Sequence, residues 1–392
     1  MKKRIDLVEK YFYPVTAGIE VNMLETYSVL TKKGWDVHAH TSVDSLTEKN
    51  VFKKSESHRG IRIHRKPFGL FGFWPDIDWQ HTDIVALHNF NIFPHFLIML
   101  YTLFFKIIGK KHYALVITPH GGYNPEWRVF PFWQATIKRI YHFTVGALMI
   151  NLSVDGVRAV SEWEKYWMIK RFIRPSIIRV IPNGIESEAY MDVDAKASKE
   201  IKDQVKSWGN YLVQIGRIYP IKNYETTIKA LSLLSDTSIK FIIVGPVHED
   251  DGYRQSLIQL AKGLKIEDRV IFTGVIKGFD KFYVIKHSLT MVHMAIWESF
   301  CNVVHEALSQ GKVPIVADNT ALPFLIQDNR NGYLVETKDS VALARKIEFL
   351  IGKLDSKKIK EMSQNNREEV KKNLWSNVAA GMDKFYNLLT SK

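Results

Sequence analysis

Cysteine is almost missing from this chain. One residue, Cys301, stands among 392, which excludes an internal disulfide and fits a reducing compartment. Long apolar runs are scarce as well. The stretch FLIMLYTLFFKII at 96–108 has 13 residues, follows Pro94 and contains Lys106, so it is too short to span a bilayer. It reads either as a buried core helix or as a membrane-surface helix flanked by Lys106, Lys110 and Lys111. The N-terminal MKKRIDLVEKYFYP carries charge but no apolar h-region, so no secretory signal is expected. No internal repeat is apparent. No basic-aromatic motif of known geometry appears either, so nucleic acid is not an expected partner. The acids Glu249, Asp250 and Asp251 are consecutive in a polar loop without a supporting histidine. That pattern suits solvated loop acids better than metal ligands, and no metal site or bound cofactor is expected.

What the chain does have is length and positive charge. With 392 residues and 46% hydrophobic content, it can build two globular domains, each with its own core. The formal net charge is +13, and residues 1–190 hold 25 Lys and Arg against 17 Asp and Glu. Most of the excess is therefore N-terminal, and it asks for an anionic partner, an anionic membrane surface among the candidates.

Strands and helices alternate along both halves. In the first, 5–8, 35–41, 61–65, 84–88, 115–118, 146–151, 156–160 and 178–181 read as strands, with a helix over 20–30 completing an opening βαβ unit. Gly18 lies in the loop after the first strand, either letting backbone approach a phosphate or sugar or merely permitting a turn. The aromatic, Gly- and Pro-rich segment 68–79 suits a mobile acceptor loop. His120, at a strand tip before Gly121 and Gly122, is expected to be exposed at the sheet edge. Ser161 and Glu162 cap a helix starting near Trp163. Residues 186–207 are charged and poor in large apolar residues, which predicts a linker between domains 1–185 and 208–374. A final helix, 375–392, follows.

The second half alternates likewise, with strands at 211–215, 240–244, 270–273, 289–293, 313–316 and 334–335. Gly216, Arg217 and Lys222 fall in the loop after its first strand, where two cations beside a helix start suit a diphosphate, the alternative being solvated charges. In WESFCNVVHEALSQGKVPIV at 297–316, Glu298 and Glu306 bracket Val303 and Val304, predicting one short helix with a carboxylate near each end. Two such acids are either solvated or need donors, which a polyhydroxylated ligand supplies. Backbone N–H groups at Phe300, Cys301 and Asn302, after Ser299, would face an anion.

Taken together, TAGIEVNMLETYSVLTKKGWDV, TPHGG, AVSEWEK, VIPNGIE, QIGRIYPIKNYETTIKAL, IIVGP, VIFTGVI, ESFCNVVHEALSQGKVPIVAD and NGYLV resemble, in order, the retaining glycosyltransferases of the GT-B fold, family 4-like, "glycosyl transferases group 1". The resemblance implies an α/β architecture of two Rossmann-like domains facing a cleft, with the last helix packing back on the N-terminal domain. The N-terminal domain would bind the acceptor and the C-terminal one a UDP- or GDP-linked sugar. It also implies a catalytic set of His120, Arg217, Lys222 and Glu298. The donor-binding set would be Gly18, Gly216, Arg217, Lys222, Ser299, Phe300, Cys301, Asn302 and Glu306. In that assignment Glu306 takes the ribose hydroxyls, Glu298 the donor sugar, and His120 approaches the transferred sugar. The family often has Gly where Ala17 and Cys301 stand here.

The expected function is therefore a retaining, metal-independent transfer of a hexosyl unit to a glycan or lipid-linked acceptor. The aromatic, basic first half favours the cytoplasmic face of a membrane. A nucleotide-sugar epimerase of the same fold, or a non-catalytic nucleotide-binding protein docked on a membrane, are the alternatives.

Overall fold

A computed structural model describes residues 2–15, 18–45, 48–123, 131–247 and 252–391. Ala17 and the acids Glu249, Asp250 and Asp251 lie outside the described residues. The chain divides into two compact units. One takes the residues up to Gly184 together with those from Trp375 onward, and the other is Ile185–Leu374.

The first unit holds an eight-stranded sheet. Its strands are β1 (Arg4–Val8), β2 (Asp36–Ser42), β3 (Ser55–His58), β4 (Ile61–Lys66), β5 (Ile84–His88), β6 (Ala114–Thr118), β7 (Gly156–Ala159) and β8 (Ile178–Val180), in spatial order β3-β4-β2-β1-β5-β6-β7-β8. Only the β3–β4 pair is antiparallel. Alternate residues feed two cores: Ile84, Ala86, Ala114 and Val116 enter one, Val85, Leu87, Leu115 and Ile117 the other. That is the period of two of a strand covered on both faces, and it explains why these strands read as unbroken apolar runs.

Helix α1 (Gly18–Lys32) and the C-terminal helix Trp375–Thr390 close the first face, contributing Met23, Tyr27 and Leu30 from one and Met382, Phe385 and Tyr386 from the other. On the second face lie α2 (His95–Ile107), α3 (Phe132–Tyr141), α4 (Ala147–Ser153) and α5 (Glu162–Lys170), with a single π turn, His142–Gly146, joining α3 to α4. The strand expected at 146–151 is thus a helix. Ala147, Ile150 and Ser153 are buried while Leu148 and Leu152 face out, a helical spacing that a short apolar run does not reveal. Helix α2 buries Ile98, Met99 and Thr102 and exposes Leu100, Phe104 and Ile107, so the 96–108 run is core on one side only.

The second unit carries α6 (Val193–Lys196), α7 (Lys199–Trp208), α8 (Tyr224–Ser232), α9 (Gly252–Gly263), α10 (Gly278–His287), α11 (Asn302–Ser309), α12 (Leu322–Leu325), α13 (Ser340–Ile351) and α14 (Lys357–Lys371). Its sheet is wholly parallel: β9 (Tyr211–Ile215), β10 (Lys240–Val244), β11 (Val270–Gly274), β12 (Thr290–His293), β13 (Ile315–Ala317) and β14 (Tyr333–Val335), in order β11-β10-β9-β12-β13-β14. The order reverses between β9 and β12, and ligands of such sheets bind at the carboxyl ends of the two strands flanking the reversal. The segment expected as a linker, 186–207, is part of this unit. Ala189, Val193, Ala197, Ile201 and Val205 sit in its core, small or β-branched residues spaced along helices whose other faces are charged.

Candidate functional site

Two loops leave the sheet where its order reverses. The first, after β9, begins at Gly216 and climbs through a 3-10 turn, Pro220–Lys222, to α8. It is tied down at several points: Tyr224 donates its hydroxyl to the Gly216 carbonyl at 2.8 Å, and Gln214 Nε2 donates to the Lys222 carbonyl at 2.8 Å. Asn223, left-handed at φ 50°, donates Nδ2 to the Met294 carbonyl at 2.8 Å. A Cβ on Gly216 would lie 3.3 Å from Lys222 Cε, and one on Gly245, after β10, 2.0 Å from the Gly216 carbonyl oxygen. The two glycines let this loop sit against its neighbour and leave room for the Lys222 side chain.

The second loop, after β12, carries Glu298. Its backbone N–H donates to Thr320 Oγ1 at 3.0 Å, and its carbonyl accepts from the Ala321 N–H at 3.2 Å. Glu298 is not on the helix predicted for it. Helix α11 starts at Asn302, because Cys301 has φ 75° and breaks the helical course between the two glutamates. Ser299, Phe300 and Cys301 therefore form the turn into the helix, and Phe300 packs edge-on against His305 with ring centroids 4.6 Å apart.

Lys222 and Glu298 meet as an ion pair, and His293 Nε2 lies 2.8 Å from the same carboxylate oxygen. Burial opposes charge on both partners. Glu298's charge nevertheless keeps the Lys222 pKa above its usual value, and Lys222 with the His293 hydrogen bond takes Glu298 down to about 2. Burial lowers the His293 pKa, so its neutral ring donates from Nε2 and leaves Nδ1 without a partner. His293, Glu298 and Cys301 offer three ligand atoms within 4.8 Å of one another. Lys222 already neutralises the carboxylate, however, and burial followed by Glu298's charge pushes the Cys301 thiol well up, so this is a poor donor set for a divalent cation. Arg217 is exposed, and no acid pairs with its guanidinium among the described residues.

Glu306, on α11, is buried with Oε1 2.9 Å from Lys281 Nζ and Oε2 without a partner. Burial, only partly offset by Lys281, raises it to about 6. A ligand hydroxyl donating to Oε2 would complete its shell.

The family model for Glycosyl transferases group 1 matches residues 197–369, and that for Glycosyltransferase Family 4 matches 16–189. The chain belongs to the group 1 glycosyltransferases. It is 28% identical over 384 residues to the alpha-monoglucosyldiacylglycerol synthase of Streptococcus pneumoniae, covering 93% of this chain and 83% of that one. With the GDP-mannose:cellobiosyl-diphosphopolyprenol alpha-mannosyltransferase of Xanthomonas campestris it shares 22% over 88% of this chain and 86% of the relative. Among solved structures, sucrose-phosphate synthase from Thermosynechococcus elongatus superposes with a TM-score of 0.78 at 18% identity, covering 100% of both chains. Anabaena HepE in complex with UDP-glucose gives 0.74 at 18%, covering 99% of this chain and 100% of that one. The fold is GT-B.

Two residues expected in the site of this glycosyltransferase, Gly18 and His120, belong to the first unit; the others belong to the second. Gly18 opens α1 with no atom within 4 Å of where a Cβ would stand. His120 is not exposed as expected. With φ 52° its ring turns back onto the sheet, 8% exposed, and Nε2 lies 2.9 Å from His88 Nδ1. The chain continues from His88 Nε2 to the Tyr27 hydroxyl at 2.8 Å and on to the Tyr386 hydroxyl at 2.6 Å. Burial, then Arg158, lowers the His120 pKa well below its usual value, so it is a neutral imidazole held in a relay.

Several partners escaped the sequence reading. His293 and Lys281 lie in strand and helix patterns that look structural, and only pairing across elements marks them. Glu164 accepts from the Val160 N–H at 2.7 Å and from the Gly121 N–H, fixing the turn that carries His120; burial raises it to about 7. Its place three residues after Ser161 was the available signal, since Ser161 caps α5 by accepting from the Glu164 N–H. Glu9, just after β1, is buried with Oε2 unpartnered, and burial followed by the charge of Glu20 raises it well above the usual range.

Proposed function

We propose that this chain is a retaining, metal-independent hexosyltransferase that takes a sugar from a UDP- or GDP-linked donor and passes it to a glycan or lipid-linked acceptor. One observation carries the reading: at the reversal of the second sheet, Lys222 is kept charged by Glu298, whose carboxylate also accepts from His293, while Arg217, in the same loop, has no acidic partner among the described residues. As the anomeric bond to oxygen breaks, negative charge grows on the departing diphosphate, and two positioned cations stabilise it where it forms. In this reading Glu306 receives the ribose hydroxyls through Oε2 and Glu298 contacts the sugar. With no side chain among the described residues placed as a covalent nucleophile, the leaving phosphate itself would take the acceptor proton on the front face. Two relatives support the substrate class: one is an alpha-monoglucosyldiacylglycerol synthase, and the other an alpha-mannosyltransferase acting with GDP-mannose on a cellobiosyl-diphosphopolyprenol.

The test is a thermal-shift panel of UDP-, GDP- and ADP-sugars, followed by nucleotide release with and without membrane lipid extract and with EDTA. Stabilisation by a UDP- or GDP-sugar, and release that needs the extract and survives EDTA, are expected. No stabilisation by any donor would overturn the reading, and loss of release in EDTA would overturn metal independence.

A further inference from the structure

Helices α3 and α4, with the π turn between them, form one run over residues 132–153. Its outer side carries an unbroken apolar row: Trp133, Ile137, Ile140, Val145, Leu148 and Leu152, each between 41% and 62% exposed. The intervals along the row are four, three, five, three and four residues. The single interval of five spans the π turn, whose wider winding takes up one extra residue and keeps the row on one face. At about 1.5 Å per residue the row is roughly 30 Å long. The end of α2 extends it. Lys106 Nζ donates to the Leu152 carbonyl at 2.7 Å, which sets exposed Phe104 and Ile107 beside the last turn of α4.

Charge along these segments is predominantly positive. Residues 84–123 and 131–154 contain no Asp or Glu and carry Lys106, Lys110, Lys111, Lys138 and Arg139; of these, Lys111 is paired with Asp155, which follows α4. Arg174 adds another cation at the same edge, donating to the Asn151 carbonyl at 2.7 Å. An apolar row this long on a soluble surface needs a cover. A second copy of the chain is a poor one, because a two-fold interface would set this predominantly cationic face against itself. A lipid bilayer with anionic headgroups meets both demands, taking the apolar tips below the headgroups and the cations among them.

We propose that the outer face of residues 132–153, with the end of α2, docks the protein on an anionic membrane surface. The docking stands apart from the transfer reaction, since it uses none of the residues assigned to donor binding.

The test is co-sedimentation of the full-length protein with vesicles of phosphatidylcholine alone and of phosphatidylcholine with phosphatidylglycerol, at low and high salt. Binding to the anionic vesicles, weakened by salt, is expected. The double variant Trp133→Ser/Ile137→Ser and the double variant Lys106→Glu/Lys110→Glu should each bind about 10-fold more weakly. Lys357→Glu/Lys360→Glu, on α14, should bind as the parent does. Unchanged thermal midpoints keep a folding defect from counting as a docking defect, and Ile137→Lys serves as a second probe where the midpoint falls. Equal binding to both vesicle types, parent-like binding of the row variants, or an equal loss in the α14 variant would overturn the proposal. So would a dimer in sedimentation velocity that Trp133→Ser/Ile137→Ser dissociates.

Discussion

Glu298 is buried, yet it is strongly acidic because two donors share one of its oxygens. Removing Lys222 strands the Glu298 charge. Lys222→Met should abolish nucleotide release and destabilise the fold by about 2 kcal/mol. That is below the roughly 3–5 kcal/mol of a fully buried pair, because Lys222 and Glu298 keep 21% and 12% of their side-chain exposure. Urea unfolding reads the loss, and adding Glu298→Gln should restore stability without restoring transfer. Glu306 behaves in the opposite sense. Its pKa in the folded protein, about 6, lies above the ordinary carboxylate value, so ionising it costs stability as pH rises through about 6, and below the ordinary range that cost vanishes. A sugar hydroxyl donates best to the ionised form, so nucleoside-diphosphate affinity should rise between pH 5 and 7.5. Glu306→Gln should bind about 10-fold more weakly at the upper end and lose most of that rise. Calorimetric titration at several pH values checks it; a parallel rise in both proteins would remove Glu306 from the site.

At the scale of the element, the loop after β9 depends on a glycine at the end of the next strand, β10. Gly245→Ala should push the Gly216 carbonyl aside, lower stability by about 2 kcal/mol or more, and weaken nucleotide binding together with it. Denaturant midpoints and a nucleotide titration would show both effects. The parallel strands were readable because burial on both faces leaves continuous Val, Ile and Leu runs. The Glu-x7-Glu spacing was readable too, but its meaning was not. Spacing predicts one helix, whereas a left-handed residue at Cys301 puts Glu298 in a loop, and backbone sign is not written in a side-chain pattern. Helix α4 was hidden for another reason: a short apolar run does not show whether its period is that of a helix or a strand. Residues 186–207 looked like a linker because their buried side chains are mostly small or β-branched, and only the docked helices show which face they serve. His120 looked exposed because its partner, His88, comes from a different strand.

For the molecule as a whole, both sheets run outward in opposite directions from their first strand, and each turns at a point flanked by buried polar groups: Glu9 after β1 and the Lys222–Glu298 pair after β9 and β12. The excess of cations in residues 1–190 is partly explained by helices α2, α3 and α4, which carry no acid, a placement that composition alone could not give. The first unit is also discontinuous. Met382, Phe385 and Tyr386 are worth about 1.5–3 kcal/mol each in buried area. Deleting 375–392 removes all three, a loss comparable to the stability of a small domain. Hydrogen exchange on that truncation should find β1, β5 and β6 unprotected while β9 and β10 stay protected; protection in both would mean the helix is dispensable. During synthesis, the Tyr386 hydroxyl that completes the Tyr27–His88–His120 relay leaves the ribosome after every residue of the second unit. Of the two units, the one begun first is therefore finished second, and His120 reaches its final setting only after every residue of the second unit has been made.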